Sequence, residues 1–195
     1  MDDSVIRSWE NFLNPEVLRS NLIVTSIYIT AFEILKKSII ERLKLFYANG
    51  FDQNGRIVSD DYRTKVLSKN ESPLYASLQW LKESSAISDT DLEQFKEIKK
   101  TRNRMAHEIP DLLGSEIVLD IAKPLGNLIS LLNKIELWWI TEVDIPTNPD
   151  FDGKEINHGE ITPGPVISLQ LMLDIALGSK EESSWYFKEF RRRTL

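Results

Sequence analysis

The sequence contains no cysteine among its 195 residues. This absence excludes disulfide bonds, thiolate zinc sites and a cysteine nucleophile. Histidine is also scarce, with only two residues in the chain. Two isolated histidines form no recognisable metal site. The glycine spacing matches neither a Walker loop nor a dinucleotide fingerprint nor a nucleophile elbow. We therefore expect a protein that works without a metal and without a cofactor.

Long apolar runs and excess positive charge are missing as well. No apolar stretch reaches the roughly 20 residues that span a bilayer, and the acidic N-terminus lacks the basic start of a secretory signal. The formal net charge of -6 argues against a protein that coats DNA or anionic membrane by bulk electrostatics. We expect a cytoplasmic protein with no membrane partner, in which a local patch holds any polyanion.

Apolar periodicity, capping residues and prolines predict an all-α helical bundle of four to five major helices. The first long helix begins at Asn14-Pro15 and ends near Asn49-Gly50, before a turn-rich loop over residues 51–60 and a short helix. Another helix begins at Ser72-Pro73 and runs to about residue 83. The next helix begins at Ser88, which forms a capping box with Asp91, and Pro110 should end it.

The second half of the chain divides at a segment rich in proline and glycine. Ser115 is expected to cap a helix with a kink or break at Pro124. We assign residues 1–143 to the bundle and residues 144–164 to a long loop with room for a short hairpin. Residues 165–195 form a C-terminal helix and a tail that pack on the same domain.

The helix that begins at Ser88 carries an arginine in its apolar stripe. At about 100° per residue, Arg102 falls near the centre of a stripe that includes Phe95, Ile98 and Met105. A buried guanidinium cannot lose its charge, so Arg102 must find a carboxylate or face a cleft or a partner subunit. Asn103 and His107 lie one turn apart at the edge of the stripe.

The same helix holds a local surplus of positive charge. Between residues 96 and 108 there are five Lys or Arg and two Glu. Four of these cations, besides Arg102, are candidates for binding RNA phosphates: Lys96, Lys99, Lys100 and Arg104. The simpler interpretation remains open, since charge runs on helices are often solvated faces and an arginine in a stripe is often half of a salt bridge.

The string Arg102-Asn103-Arg104-Met105-Ala106-His107 resembles a motif of the HEPN superfamily, whose members share a helical bundle and whose ribonuclease branches carry the pattern R-[polar]-x-x-x-H. The resemblance covers about residues 15–142. It implies an endoribonuclease in which His107 acts as base or acid, Arg102 binds phosphate and Asn103 positions either. It also implies a homodimer whose two motifs face one cleft, with Phe95, Ile98 and Met105 packing partly across the axis, and a product with a 2′,3′-cyclic phosphate and a 5′-hydroxyl.

The family's setting is prokaryotic conflict, so the resemblance implies a toxin of a toxin–antitoxin pair or an abortive-infection, antiviral defence effector. Its partners would be RNA and a protein antitoxin, for example of the nucleotidyltransferase type. The alternative is a catalytically inactive HEPN-like helical interaction module that binds nucleotide, RNA or a protein partner. A closed salt bridge from Arg102 to an internal carboxylate would favour this alternative, whereas an open, basic cleft in which Arg102 and His107 meet their symmetry mates would favour the ribonuclease.

Other residues are weaker candidates. His158 can be a second acid or base, although a lone loop histidine is usually a solvent residue, and Glu108 is expected at the surface. The aromatic pairs Trp138-Trp139 and Trp185-Tyr186, with Phe187, are expected in the core or at an interface rather than stacked on bases. The basic run from Arg191 to Arg193 is interpreted as a disordered end.

Overall fold

The structure is a computed structural model that describes residues 3–53, 55–107 and 121–194, except for the side chains at positions 4, 8, 11 and 107. The described part holds eight helices and one two-stranded sheet, which confirms the all-α fold class. The helices are α1 (Asp3–Leu13), α2 (Pro15–Phe46), α3 (Asp60–Lys65), α4 (Pro73–Glu83), α5 (Asp89–His107), α6 (Ala122–Trp139), α7 (Gly164–Leu177) and α8 (Lys180–Thr194).

Helix α2 is the centre of the bundle. The side chain of Asn14 accepts a hydrogen bond from the backbone N–H of Glu16 at 3.1 Å, and Pro15 occupies the first helical position. This is the cap that the sequence predicts. The helix contacts α4, α5, α6 and α7, and it buries apolar residues such as Tyr28, Leu35 and Ile39 completely. An element covered on several sides needs apolar residues around most of its circumference.

A β-hairpin follows α2 where the sequence predicts a loop. Strand β1 (Ala48–Asp52) pairs antiparallel with β2 (Gly55–Val58). Gly50 and Gly55 adopt φ angles of +144° and +114°, a backbone region that other residues rarely enter. Phe51 and Ile57 remain exposed. The loop prediction was wrong because the strands are short and hold no fully buried residue, so their sequences, ANGFD and GRIV, lack the apolar alternation by which strands are recognised.

The observed start of helix α6 differs from the kink or break that was expected at Pro124. The helix begins at Ala122 with Ile121 as its N-cap, so Pro124 lies in the first turn. Proline is tolerated there because the N–H groups of the first turn have no partner within the helix. The break therefore lies before Pro124 instead of at it. The predicted cap Ser115 and the predicted helix end Pro110 lie outside the described residues.

The segment over 144–164 has no hairpin in its described residues. A π-helical stretch, Ile140–Asp144, continues α6 and is followed by single helical turns at Ile145–Thr147, Pro149–Phe151 and His158–Glu160. The π-helical stretch places Asp144 beside Arg42 of α2 at 3.1 Å. Arg42 also contacts the buried carboxylate of Glu136 at 3.0 Å. This ion triad ties α2 to α6.

The chain ends in two helices. Helix α7 contacts α2 and α6, whereas α8 contacts α7. The basic run Arg191–Arg193, interpreted from sequence as a disordered end, belongs to the last turns of α8. There Arg192 and Arg193 pair with Glu189 at 2.7 Å each. The glutamate lies three and four residues before them, which is the spacing that stabilises an exposed helix.

Helix α1 was not predicted as an element. It packs against α2, but the apolar residues Val5, Ile6, Trp9, Phe12 and Leu13 are all exposed. Their spacing, i, i+1, i+4, i+7 and i+8, is that of one helical face. The signal for a helix was therefore present in the sequence.

None of the described helices is long and apolar enough to cross a membrane.

The start of α5 confirms the predicted capping box and leads to a prediction about pH. The Asp91 carboxylate accepts hydrogen bonds from the Ser88 backbone N–H at 2.6 Å and from Lys134 of α6 at 2.6 Å. Burial raises the pKa of Asp91, but the hydrogen bonds from Lys134 and Ser88 outweigh burial and hold that pKa below its ordinary value. A carboxyl with a lowered pKa in the folded state stabilises the fold above the pKa of the unfolded chain.

We expect Asp91→Asn to lower the free energy of unfolding by about 1–2 kcal/mol at pH 7. The difference from wild type should shrink as the pH falls from about 4 through the lowered pKa, because both side chains are then uncharged. Urea unfolding at a series of pH values measures this difference. A difference that stays constant down to pH 2 would contradict the account of the cap.

Candidate functional site

Helix α5 packs on α2 and is fixed to it by buried contacts. The ring of Phe95 stacks on Phe32 at 6.1 Å, and the hydroxyl of Tyr28 donates a hydrogen bond to the carbonyl of Ile98 at 3.2 Å. Burial raises the pKa of Tyr28, which keeps it a donor, although Thr101 and Arg104 act in the opposite direction. These contacts set the height and the rotation of α5 and so determine where Arg102 and Asn103 lie.

The apolar stripe of α5 lies inside the single chain. Phe95, Ile98 and Met105 are 0%, 2% and 1% exposed. The expectation that these three residues pack across a dimer axis was wrong, because α2 and the neighbouring helices already cover them. An aspartate at Ile98 would therefore disturb the monomer itself, and it cannot serve as a probe of a dimer interface.

Arg102 lies between this core and the surface. Its Nη2 contacts the Glu33 carboxylate of α2 at 3.3 Å, and its Nη1 donates a hydrogen bond to Asn103 Oδ1 at 3.3 Å. The guanidinium also lies 5.4 Å from the centre of the Phe32 ring. Its Nε is buried without a hydrogen-bond partner among the described residues. Of the three alternatives that the sequence left open for Arg102, the structure shows a carboxylate, that of Glu33.

The ion pair between Arg102 and Glu33 is open to solvent. The two side chains are 30% and 44% exposed, and Lys36 shares the same carboxylate at 3.1 Å. Ion pairs of this exposure contribute about 1 kcal/mol or less, because water and salt screen the attraction. Glu33 was not predicted from sequence; the only signal was a carboxylate within the apolar part of α2. A ligand with a stronger charge can compete with Glu33 for Arg102.

Asn103 connects Arg102 to a polar face of α5. Positions 96, 100, 103 and 107 follow one another at helical spacing, so they lie along one side of the helix. His107 is the last residue of α5, and its backbone lies one turn beyond Asn103. The side chain of His107 and the whole of Glu108 lie outside the described residues. The structure therefore brings Arg102 and Asn103 together and places the backbone of His107 next along the same edge.

The four cations assigned to RNA differ in their surroundings. Lys100 and Arg104 are exposed. Lys96 pairs with Glu93 at 2.7 Å, a hydrogen bond that raises the pKa of Lys96. Lys99 lies over the Tyr75 ring at 4.6 Å and donates to its hydroxyl at 3.3 Å. Lys100 and Arg104 are therefore the most accessible of the four to a phosphate.

The other sequence candidates lie away from α5. His158 is exposed in a single turn, as expected of a solvent residue. Trp139 is buried and stacks on Trp80 with the ring centres 5.9 Å apart, so the prediction that this pair belongs to the core is confirmed for Trp139. Trp185 and Phe187 are exposed on α8 and are not core residues.

Cavities border α5 and α2 on both sides. One of about 320 Å³ is lined by Tyr75, Lys96 and neighbouring residues, and another of about 340 Å³ is lined by Glu33, Lys36 and Lys37. Lysines in both walls give each cavity a cation at its edge. Across the described ranges, no three histidine or carboxylate side chains cluster as a metal site requires.

We compared the chain with protein-family models, with curated proteins and with solved structures. It matches none of them. The resemblance to the HEPN superfamily therefore rests on the motif in α5 alone, and the structure adds only the all-α class.

Proposed function

We propose that the protein is an endoribonuclease of the HEPN type, which cuts RNA without a metal and uses Arg102, Asn103 and His107. One observation carries the proposal: Arg102 is accessible, hydrogen-bonded to Asn103, and held by a weak, solvent-exposed pair at the edge that leads to His107. A purely structural arginine in this stripe would be expected in a closed ion pair. Within the part of the chain that the structure describes, the Arg102 side chain stays 30% exposed beside its partner Glu33.

The chemistry follows from these residue types. A base removes the proton from a ribose 2′-OH, the 2′-oxygen attacks the adjacent phosphorus, and the bond to the 5′-oxygen breaks. An acid protonates the departing 5′-oxygen, which leaves a 2′,3′-cyclic phosphate and a 5′-hydroxyl. An imidazole titrates near neutral pH and can perform either proton transfer at His107. The guanidinium of Arg102 can donate two parallel hydrogen bonds to the phosphate oxygens as charge develops on them.

One histidine cannot act as base and acid in the same step. We therefore include a homodimer in the proposal, in which His107 and Arg102 of a second copy complete the site. By the resemblance, the biological role would be that of a toxin or a phage-defence effector, with an antitoxin protein as a possible partner. RNA is the substrate in either role.

The exposed cations of α5 make RNA binding dependent on salt. We expect the logarithm of the binding constant for single-stranded RNA to fall linearly with the logarithm of salt concentration, by about 0.7 for each phosphate contacted. Lys100→Ala and Arg104→Ala should each reduce this slope by about one contact. Lys65→Ala, which removes an exposed lysine of α3, is the control and should leave the slope unchanged. Fluorescence anisotropy with a labelled oligonucleotide measures the slope, and a flat response would point to a ligand other than RNA.

A Glu33→Gln variant tests whether Arg102 binds the RNA phosphate. If the phosphate must displace Glu33, Glu33→Gln should lower KM for RNA several-fold and cost about 1 kcal/mol or less in stability. Glu41→Gln is the matched control, because Glu41 lies on the same helix with similar exposure and pairs with Lys44 and Arg56 instead. An unchanged or higher KM for Glu33→Gln would show that Arg102 does not receive the phosphate.

A second function is favoured by the same ion pair. The pair between Arg102 and Glu33 is an internal contact, as expected if the protein is a catalytically inactive module that binds nucleotide, RNA or a protein. The two functions differ in a simple result, since an inactive module binds RNA or another ligand but yields no cyclic phosphate. Cleavage in the presence of EDTA therefore separates them.

A further inference from the structure

We infer that the exposed apolar face of α1 is the contact surface of a homodimer, in which two copies of α1 pack antiparallel across a two-fold axis at Trp9. Helix α1 presents Val5, Ile6, Trp9, Phe12 and Leu13 with exposures of 38–70%. At about 100° per residue, all five lie within about 60° of the direction of Trp9. A continuous apolar face of this size is often a functional contact surface.

The order of these residues fits a second copy of the same chain. The apolar positions 5, 6, 9, 12 and 13 are symmetric about residue 9. In an antiparallel pair, Val5 therefore lies opposite Leu13, Ile6 opposite Phe12, and Trp9 opposite its own copy. A two-fold interface requires a surface to be complementary to itself, and this face meets that requirement without gaps or charges.

The area reaches the minimum that a specific dimer needs, and the charge of α1 argues against a membrane surface. The five side chains expose on the order of 500 Å² in each copy, so a dimer would bury about 1,000 Å² in total, the lower bound for a specific interface. Helices that lie on membranes carry lysine and arginine on their polar face. In α1 the charged residues are Asp3, Arg7 and Glu10, and carboxylates outnumber the single cation.

Trp9 has a matched control in the same chain. Trp9 and Trp185 are 57% and 56% exposed, and each lies on a terminal helix that packs on one neighbour. In sedimentation velocity at micromolar concentration, the wild type should be a dimer. Trp9→Glu should raise the dimer Kd by about 100-fold or more, because each dimer loses two central aromatic residues, whereas Trp185→Glu should not change it. A monomeric wild type, or a dimer abolished by Trp185→Glu and not by Trp9→Glu, overturns the inference.

Cross-linking tests the antiparallel arrangement, and the absence of native cysteine makes single-cysteine variants unambiguous. In the proposed dimer the two copies of position 10 differ in height by about 3 Å, and the two copies of position 3 by about 18 Å. A short bismaleimide should therefore link Glu10→Cys and fail to link Asp3→Cys. Equal linking of both variants overturns the antiparallel pairing. Sedimentation and cross-linking need no RNA, so failure of this dimer and failure of the proposed activity are distinguishable.

Discussion

Replacing His107 with alanine is expected to lower RNA cleavage by about 10²–10⁴-fold while the protein stays folded. In the proposed mechanism the imidazole supplies the proton transfers. The chain offers a matched control, since its other histidine, His158, is exposed in a turn of the long loop. His158→Ala should cut RNA at the wild-type rate. Initial rates on a labelled oligonucleotide measure both variants, and circular dichroism verifies the fold.

Two outcomes would contradict this assignment. Equal cleavage by wild type and His107→Ala would remove His107 from the mechanism and would indicate a contaminating nuclease or another site. A loss of activity in His158→Ala alone would identify His158 as the essential histidine.

The second large effect is a difference in stability between two arginine variants. Arg42 lies on α2, and Arg102 lies on α5 and contacts α2. Arg42→Ala is expected to lower the free energy of unfolding by about 3–5 kcal/mol, because it leaves the carboxylate of Glu136 buried and unpaired. The side chain of Glu136 is 3% exposed and contacts Arg42 at 3.0 Å. Arg102→Ala should cost about 1 kcal/mol, because its partner Glu33 is exposed and can be hydrated.

The same pair of variants separates stability from activity. Arg102→Ala should abolish RNA cleavage in a protein that unfolds almost as the wild type does. Arg42→Ala should leave the activity of the folded fraction intact, since Arg42 lies beside Glu136 and Asp144. Urea unfolding followed by tryptophan fluorescence gives the stabilities. If Arg102→Ala destabilised the protein as strongly as Arg42→Ala, Arg102 would be a structural residue and the inactive-module function would be favoured.

Local signals in the sequence were sufficient where one element determines its own structure. The Asn14 cap, the capping box of Ser88 and Asp91, and the buried stripe of Phe95, Ile98 and Met105 follow from short-range patterns. The hairpin at Ala48–Val58 and the start of α6 at Ala122 were missed. The two strands are short and hold no fully buried residue, and Pro124 fits the first turn of a helix as well as it fits a break.

The candidate site was predictable only in part, because the carboxylate that pairs with Arg102 comes from another helix. The sequence identifies Arg102 as unusual, since it occupies a core position of α5. The partner Glu33 lies 69 residues earlier, and only the packing of α5 on α2 brings the two together. For the same reason, the sequence placed the dimer contact on the stripe of α5, whereas the structure buries that stripe and leaves α1 exposed.

The most direct test of the proposed activity uses a single oligonucleotide pair in EDTA. One member is all RNA, and in the other every ribose is replaced by 2′-deoxyribose. Attack by the 2′-OH predicts that the purified protein cuts the RNA into fragments that end in a 2′,3′-cyclic phosphate and leaves the deoxy strand intact. Cleavage of both strands, or no cleavage of the RNA by a folded protein that still binds it, would contradict the account.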